Sequence, residues 1–232
     1  GRSEKCERHE IRQWRLHATP RPHHGDKDAT ITHPAWRDYG RSSVGDSIQE
    51  SSLGDYQVAK GIEGENATVR EISTMTDKHH LISSIKRTSK SDIDHILIYK
   101  KGIVIINSKN YSNDLLINGM SVSYTNSQGD ACPTHDWQGI MMNEKSEIMG
   151  TLASRWDYRD IAASIPIHMV FAIWNARIRM TGDNPIIPFI NGQDIIPWLE
   201  SRRTTVTLDD NLIDYLYADM RRSTFWNHDT SL

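Results

Sequence analysis

The chain has 232 residues, of which 37% are hydrophobic, and carries a formal charge of -3 with a pI near 6.4. This size and apolar content support one sizeable globular domain with appendages, and the slightly acidic balance excludes a global basic field, so any nucleic-acid contact has to come from a local patch. No apolar run approaches the ~18 residues that span a bilayer, residues 1 to 30 are charged and His-rich without a secretory core, and Cys6 and Cys132 have neither metal-ligand spacing nor the density of a disulfide scaffold. These features predict a cytoplasmic protein that makes no membrane contact.

Residues 1 to 55 hold few apolar side chains, without pattern, among Pro20, Pro22, Pro34 and many Gly, Ser, His and charged residues. They predict an irregular or partly disordered N-terminal arm, in which Ile11, Trp14, Leu16, Trp36 and Tyr39 are available to pin it to the domain or to a second copy, a route to a homo-oligomer. The folded part, residues 56 to 232, opens with Ile62, Glu65, Val69, Ile72 and Met75 or Thr76 at three- and four-residue spacing, one face of a helix with Glu65 on its apolar stripe. A short strand follows over Leu81 to Lys86. Asp92 to Tyr99 and Gly102 to Lys109 read as a β-hairpin around Lys100-Lys101-Gly102, and Leu115 to Asn118 with Ser121 to Tyr124 as a second pair around Gly119. Trp137 to Trp156 reads as a helix anchored by Ile140, Met141, Ile148, Leu152 and Trp156, with Glu144, Lys145 and Glu147 predicted on its solvated face. Ile165 to Trp174 is a buried strand interrupted by His168, and Val206 to Arg222 an amphipathic helix using Leu208, Leu212, Tyr215 and Leu216. The order predicts an α/β domain with a central mixed sheet flanked by helices.

Polar groups interrupt this apolar pattern in one region. Side chains alternate across a strand, so Asp94 shares a face with Ile96 and Ile98, while Asn107 and Lys109 share one with Ile103 and Ile105. A two-residue turn at Lys100-Lys101 sets Ile98 opposite Ile103, Ile96 opposite Ile105 and Asp94 opposite Asn107; a three-residue turn breaks the apolar matching. Asp94, Asn107 and Lys109 then cluster, and a helix packed on this face brings Glu65 to the same spot. Two acids, an amide and an amine suit metal-assisted phosphodiester hydrolysis: Mg²⁺, or Mn²⁺ as the alternative, takes oxygen ligands from Asp94, Asn107, the Ser108 carbonyl and Glu65, and Lys109 holds the attacking water. Asn107 in place of an acid weakens cation binding. Lys86, Arg87, Lys90, Lys100 and Lys101 are predicted to flank the site and contact nucleic-acid phosphates. His79, His80 and His95 read as loop and sheet histidines, since no acid or cysteine lies at ligand spacing from them. No Gly-x-Ser-x-Gly elbow, no patterned cysteine nucleophile and no phosphate-cradling glycine loop is present.

The residues Gly61-x-x-Gly64-Glu65, Asp94-His95 and the strand from Gly102 through Asn107-Ser-Lys109-Asn110-Tyr111 resemble the nuclease-related domain (NERD), a branch of the PD-(D/E)XK nuclease superfamily, over roughly residues 58 to 220. The resemblance implies a restriction-endonuclease-like core, a DNA substrate, Mg²⁺, and Glu65, Asp94 and Lys109 as catalytic positions. The family pattern has Glu two residues before the lysine, where this chain has Asn107. A catalytically inactive nucleic-acid-binding module and a protein-interaction domain are the alternatives.

Overall fold

The structure, a computed structural model, describes residues 53–85, 92–154 and 163–222. The chain divides into two compact units, residues 1–60 and 61–232. The N-terminal segment read as an arm lies outside the described residues, except for the opening of helix α1 (Leu53–Ile72). The elements that follow are β1 (His79–Ile85), β2 (Ile93–Tyr99), β3 (Gly102–Asn110), β4 (Leu115–Asn118), β5 (Ser121–Thr125), β6 (Ala131–Pro133), α2 (Trp137–Ala153), β7 (Ile167–Trp174), β8 (Ile178–Met180), β9 (Phe189–Asn191), α3 (Ile195–Ser201) and α4 (Asp210–Arg222). They form a mixed α/β architecture with two sheets, one in the order β1-β2-β3-β7-β9 and the other β6-β5-β4-β8. In the first, β1 to β3 are antiparallel, and β7 and β9 join parallel to their neighbours.

The centre of the first sheet follows from composition. Ile96, Leu97, Ile98, Ile103, Val104, Ile105 and Ile106 are all fully buried, which a strand reaches only when both faces are covered. One face carries Leu97, Tyr99, Val104, Ile106, Val170 and Ala172 against Ile72 of α1 and Ile195 and Leu199 of α3. Burying such a cluster is worth about 1.5–3 kcal/mol per large side chain. The other face is covered by α2, which packs on β3 and β7, and by α4, which packs on β1 and β2. Lys78 Nζ and His80 Nε2 both bond Asp214 of α4, at 2.9 and 2.6 Å, and the His80 ring stacks on Tyr217 at 4.1 Å. These bonds hold the Asp214 carboxyl below the usual carboxylate range.

Two helix faces differ from the periodicity reading. In α1 the buried positions are Gly64, Thr68 and Ile72, while Ile62 is 41% exposed. Gly64 explains the rotation: a Cβ there would lie 2.9 Å from the Asn110 Cβ, so the helix approaches the end of β3 more closely than any larger residue allows. In α4 the buried side chains are Ile213, Leu216 and Met220, Tyr215 is 40% exposed, and Leu208 is buried just before the helix begins. Its backbone N–H bonds the Lys100 carbonyl at 2.8 Å.

The β2–β3 turn depends on Gly102, whose φ is +120° and whose added Cβ would lie 2.3 Å from the Pro166 carbonyl oxygen. Gly102→Ala is expected to lower unfolding stability by roughly 2 kcal/mol or more in urea titration. Gly129→Ala, at φ +87° with nothing within 4 Å of the new Cβ, is expected to cost only about half as much, because backbone strain acts there without a clash.

Candidate functional site

The hairpin adopts the even register, with Ile98 opposite Ile103, Ile96 opposite Ile105 and His95 opposite Ile106. The next rung is Asp94 with Asn107, and there the backbone ladder gives way to a side chain: Ser108 N–H donates to Asp94 Oδ2 at 2.8 Å. Lys109 Nζ lies 4.0 Å from the same oxygen, and the two side chains are only 27% and 16% exposed. Asn107 Oδ1 is buried and finds no hydrogen-bond partner among the described residues. Lys109 also sits 5.6 Å above the Trp137 ring of α2, and Trp137 packs on Phe171, the residue paired with Asn107 across β3 and β7. Asp94, Asn107 and Lys109 are therefore together at one end of the hairpin, under the first turn of α2.

Glu65 arrives differently from the sequence expectation. α1 packs on the opposite face, because Thr68 Oγ1 lies 2.7 Å from Ser108 Oγ, and Ser108 points away from Asn107 and Lys109. The same threonine donates to the Gly64 carbonyl at 3.2 Å and accepts from Trp174 Nε1 at 2.9 Å. Glu65 reaches the site region around the β1 edge: its Oε2 accepts from Ser84 Oγ at a long 3.4 Å, and Ser84 occupies the rung opposite Asp94, between the pairs Ser83–His95 and Ile85–Ile93. Ser84 has φ +56°, a left-handed conformation that costs a non-glycine residue energy and turns its side chain toward α1.

The motif residues after the lysine are structural. Asn110 Oδ1 accepts from Asn175 Nδ2 at 2.9 Å and its Nδ2 donates to Glu63 at 3.1 Å, while Tyr111 packs between Tyr124 and Trp137 at 5.7 and 5.8 Å. His95, beside Asp94, is fully buried with Nδ1 2.9 Å from Ser83 Oγ.

Of the predicted basic patch, Lys100 and Lys101 do not flank this site. Lys100 and Lys101 sit at the turn, six residues of strand from Asp94 or about 20 Å, because a hairpin places its turn at the end opposite its open strand ends. Lys100 pairs with Asp77 at 2.6 Å, and Lys101 bonds the Glu200 carbonyl. Lys86, Arg87 and Lys90 lie outside the described residues. Glu144, read as solvated, is fully buried on the sheet side of α2 with Met141, Ile148 and Leu152. Its spacing of three from Met141 and four from Ile148 was the signal, masked by the charged neighbours Lys145 and Glu147. Among the described residues no three His, Cys, Asp or Glu side chains gather to hold a metal ion. Of the side chains on that rung, the Asp94 carboxylate and the Asn107 Oδ1 offer oxygens to one.

Residues 60–146, from α1 through β6 and into α2, match the family model of the nuclease-related domain. β7, β9, α3 and α4 lie beyond the match. No curated protein and no solved structure matches the chain.

Burial drives the His95 pKa down to about 4 against the opposing pull of Asp94. Because the unfolded chain protonates near 6.5, stability is full above that pH, falls as the pH drops from 6.5 toward 4, and levels off below. The loss is on the order of 3 kcal/mol. Urea midpoints across this range are expected to show the slope in the parent chain and to lose most of it in His95→Gln.

Proposed function

We propose that the chain is a metal-dependent nuclease that hydrolyses phosphodiester bonds in DNA at the Asp94–Lys109 end of the hairpin. One observation carries this reading: a carboxylate, a buried amide oxygen with no partner among the described residues and an ammonium converge there, with Lys109 Nζ 4.0 Å from Asp94 Oδ2. The nuclease-related match over the same strands supports it.

The donor set fits a hard divalent cation, Mg²⁺ or Mn²⁺, which commonly takes one or two protein oxygens and completes its shell with water and substrate phosphate. Asp94 would hold it through its carboxylate, Asn107 through Oδ1 and Ser108 through its carbonyl, with Glu65 assisting from the β1 edge. Such a cation supplies Lewis acidity toward the phosphoryl oxygen. The Ser108 N–H fixes the Asp94 carboxylate so that it does not have to be ordered when substrate arrives. Lys109 orients the attacking water and offsets negative charge that builds up on phosphate oxygens. Trp137, packed on Phe171, gives the Lys109 ammonium an aromatic face on one side.

A second reading, a nucleic-acid-binding module without turnover, is favoured by the neutral Asn107 and by the lack of a three-acid cluster among the described residues. Cleavage of labelled single- and double-stranded DNA with Mg²⁺ or Mn²⁺ separates the two. Under the nuclease reading, Lys109→Ala is expected to lose about 100-fold or more in rate, and Asn107→Glu to bind Mg²⁺ on the order of 10-fold more tightly and to cleave faster. Binding of DNA with no cleavage by any of the three chains establishes the second reading.

A further inference from the structure

We propose that the groove at the turn end of the β2–β3 hairpin is a phosphate-binding site, about 20 Å along the strands from Asp94 and independent of any hydrolysis there. The groove is shallow and open to solvent, with a volume of about 650 Å³, and is lined by Lys100, Lys101, Arg202, Arg203, Thr204 and Thr207, which supply four cations and two hydroxyls with no acid among them. In a chain of net charge -3 this is a local concentration of positive charge.

The wall is built rather than loose. The Leu208 N–H bond to the Lys100 carbonyl ties the segment after α3 to the hairpin turn. Thr204 Oγ1 donates to the Val206 carbonyl at 2.7 Å and accepts from the Val206 N–H at 3.1 Å, closing the loop on itself. Arg202 lies 4.5 Å over the Trp198 ring and donates through Nε to the Trp198 carbonyl at 3.2 Å and through Nη2 to Ser201 Oγ at 3.0 Å. These acceptors are neutral, so the guanidinium is oriented while its charge is kept, and among the described residues nothing bonds Nη1. Asp77 compensates Lys100, and Lys101 bonds a carbonyl. Among the described residues no carboxylate pairs with Arg202 or Arg203. The Arg202 charge acts inside the sheet as well: burial pushes Tyr99 up to about 12 against it, and burial together with Arg202 pushes His168 down.

A stacked, preoriented arginine beside further cations and hydroxyls suits phosphate oxygens, which accept several charge-assisted hydrogen bonds at once. The phosphate comes either from a polynucleotide backbone or from a small phosphate species, and the test separates these. Binding is measured in EDTA by anisotropy of a labelled DNA of about 20 nucleotides at roughly 50 and 200 mM salt, and by calorimetry with inorganic phosphate. The proteins are the parent chain, Arg202→Gln/Arg203→Gln, Lys101→Gln/Arg203→Gln, which spares the Trp198 stack, and Arg179→Gln as a remote control.

Both double variants are expected to weaken binding at least 10-fold, and for DNA to lower the log–log salt slope by about two, while Arg179→Gln changes neither. Loss of DNA binding alone assigns the groove to a polynucleotide backbone, and loss of phosphate binding alone assigns it to a small phosphate species. Equal binding by parent and variants, or no binding of either ligand by the parent, overturns the proposal. Lys109 lies outside the groove, so failure of the nuclease reading leaves these values unchanged.

Discussion

The pairing of β2 with β3 is the constraint on which the remaining structure depends. Ile96, Ile98, Ile103 and Ile105 face one layer of helices and Leu97, Val104 and Ile106 the other, so a slip of one residue would exchange every side chain between the two layers. The same slip would separate Asp94 from Asn107 and Lys109. Gly102 permits the turn that sets the register, and the Pro166 carbonyl bonded to the Ile103 N–H seats β7 beside it. The candidate site is thus a consequence of hydrophobic matching along the hairpin, and its precision comes from the sheet and not from a flexible loop.

Where the ladder ends, polar interactions take over in an ordered way. The Asp94 carboxylate occupies the place of a backbone acceptor for Ser108, and on the reverse face the Ser108 hydroxyl meets Thr68, which also accepts from Trp174. One strand residue therefore links the acid on one side to α1 on the other, and Gly64 allows α1 to come close enough. The left-handed Ser84 lies on the same rung. Strain next to a partly buried acid is stable only because the surrounding sheet over-determines it.

Opposite ends of the hairpin carry different chemistry. The open end holds the acid, amide and lysine beneath Trp137; the turn end holds Lys100 and Lys101 beside Arg202 and Arg203. Lys100 and Lys101 lie about 20 Å from the acid, and among the described residues Lys109 is the cation nearest the Asp94 carboxylate.

The sequence by itself determined the hairpin, its register and the clustering of Asp94, Asn107 and Lys109, because the alternation of two residues per strand repeat and the isoleucine matching admit a single solution. It also determined that Leu115–Asn118 and Ser121 onward would pair, since Gly119 supplies the turn. Only the tertiary structure decided which face of the sheet each helix covers. Periodicity marks a stripe but not its destination, so Glu65 was assigned to the wrong side and Glu144 to solvent. The separation of Lys100 and Lys101 from the acid, and their meeting with Arg202 and Arg203 a hundred residues later, likewise required the fold. Contacts of that sequence separation leave no local pattern, because they are set by how α3 and the segment after it close over the hairpin turn.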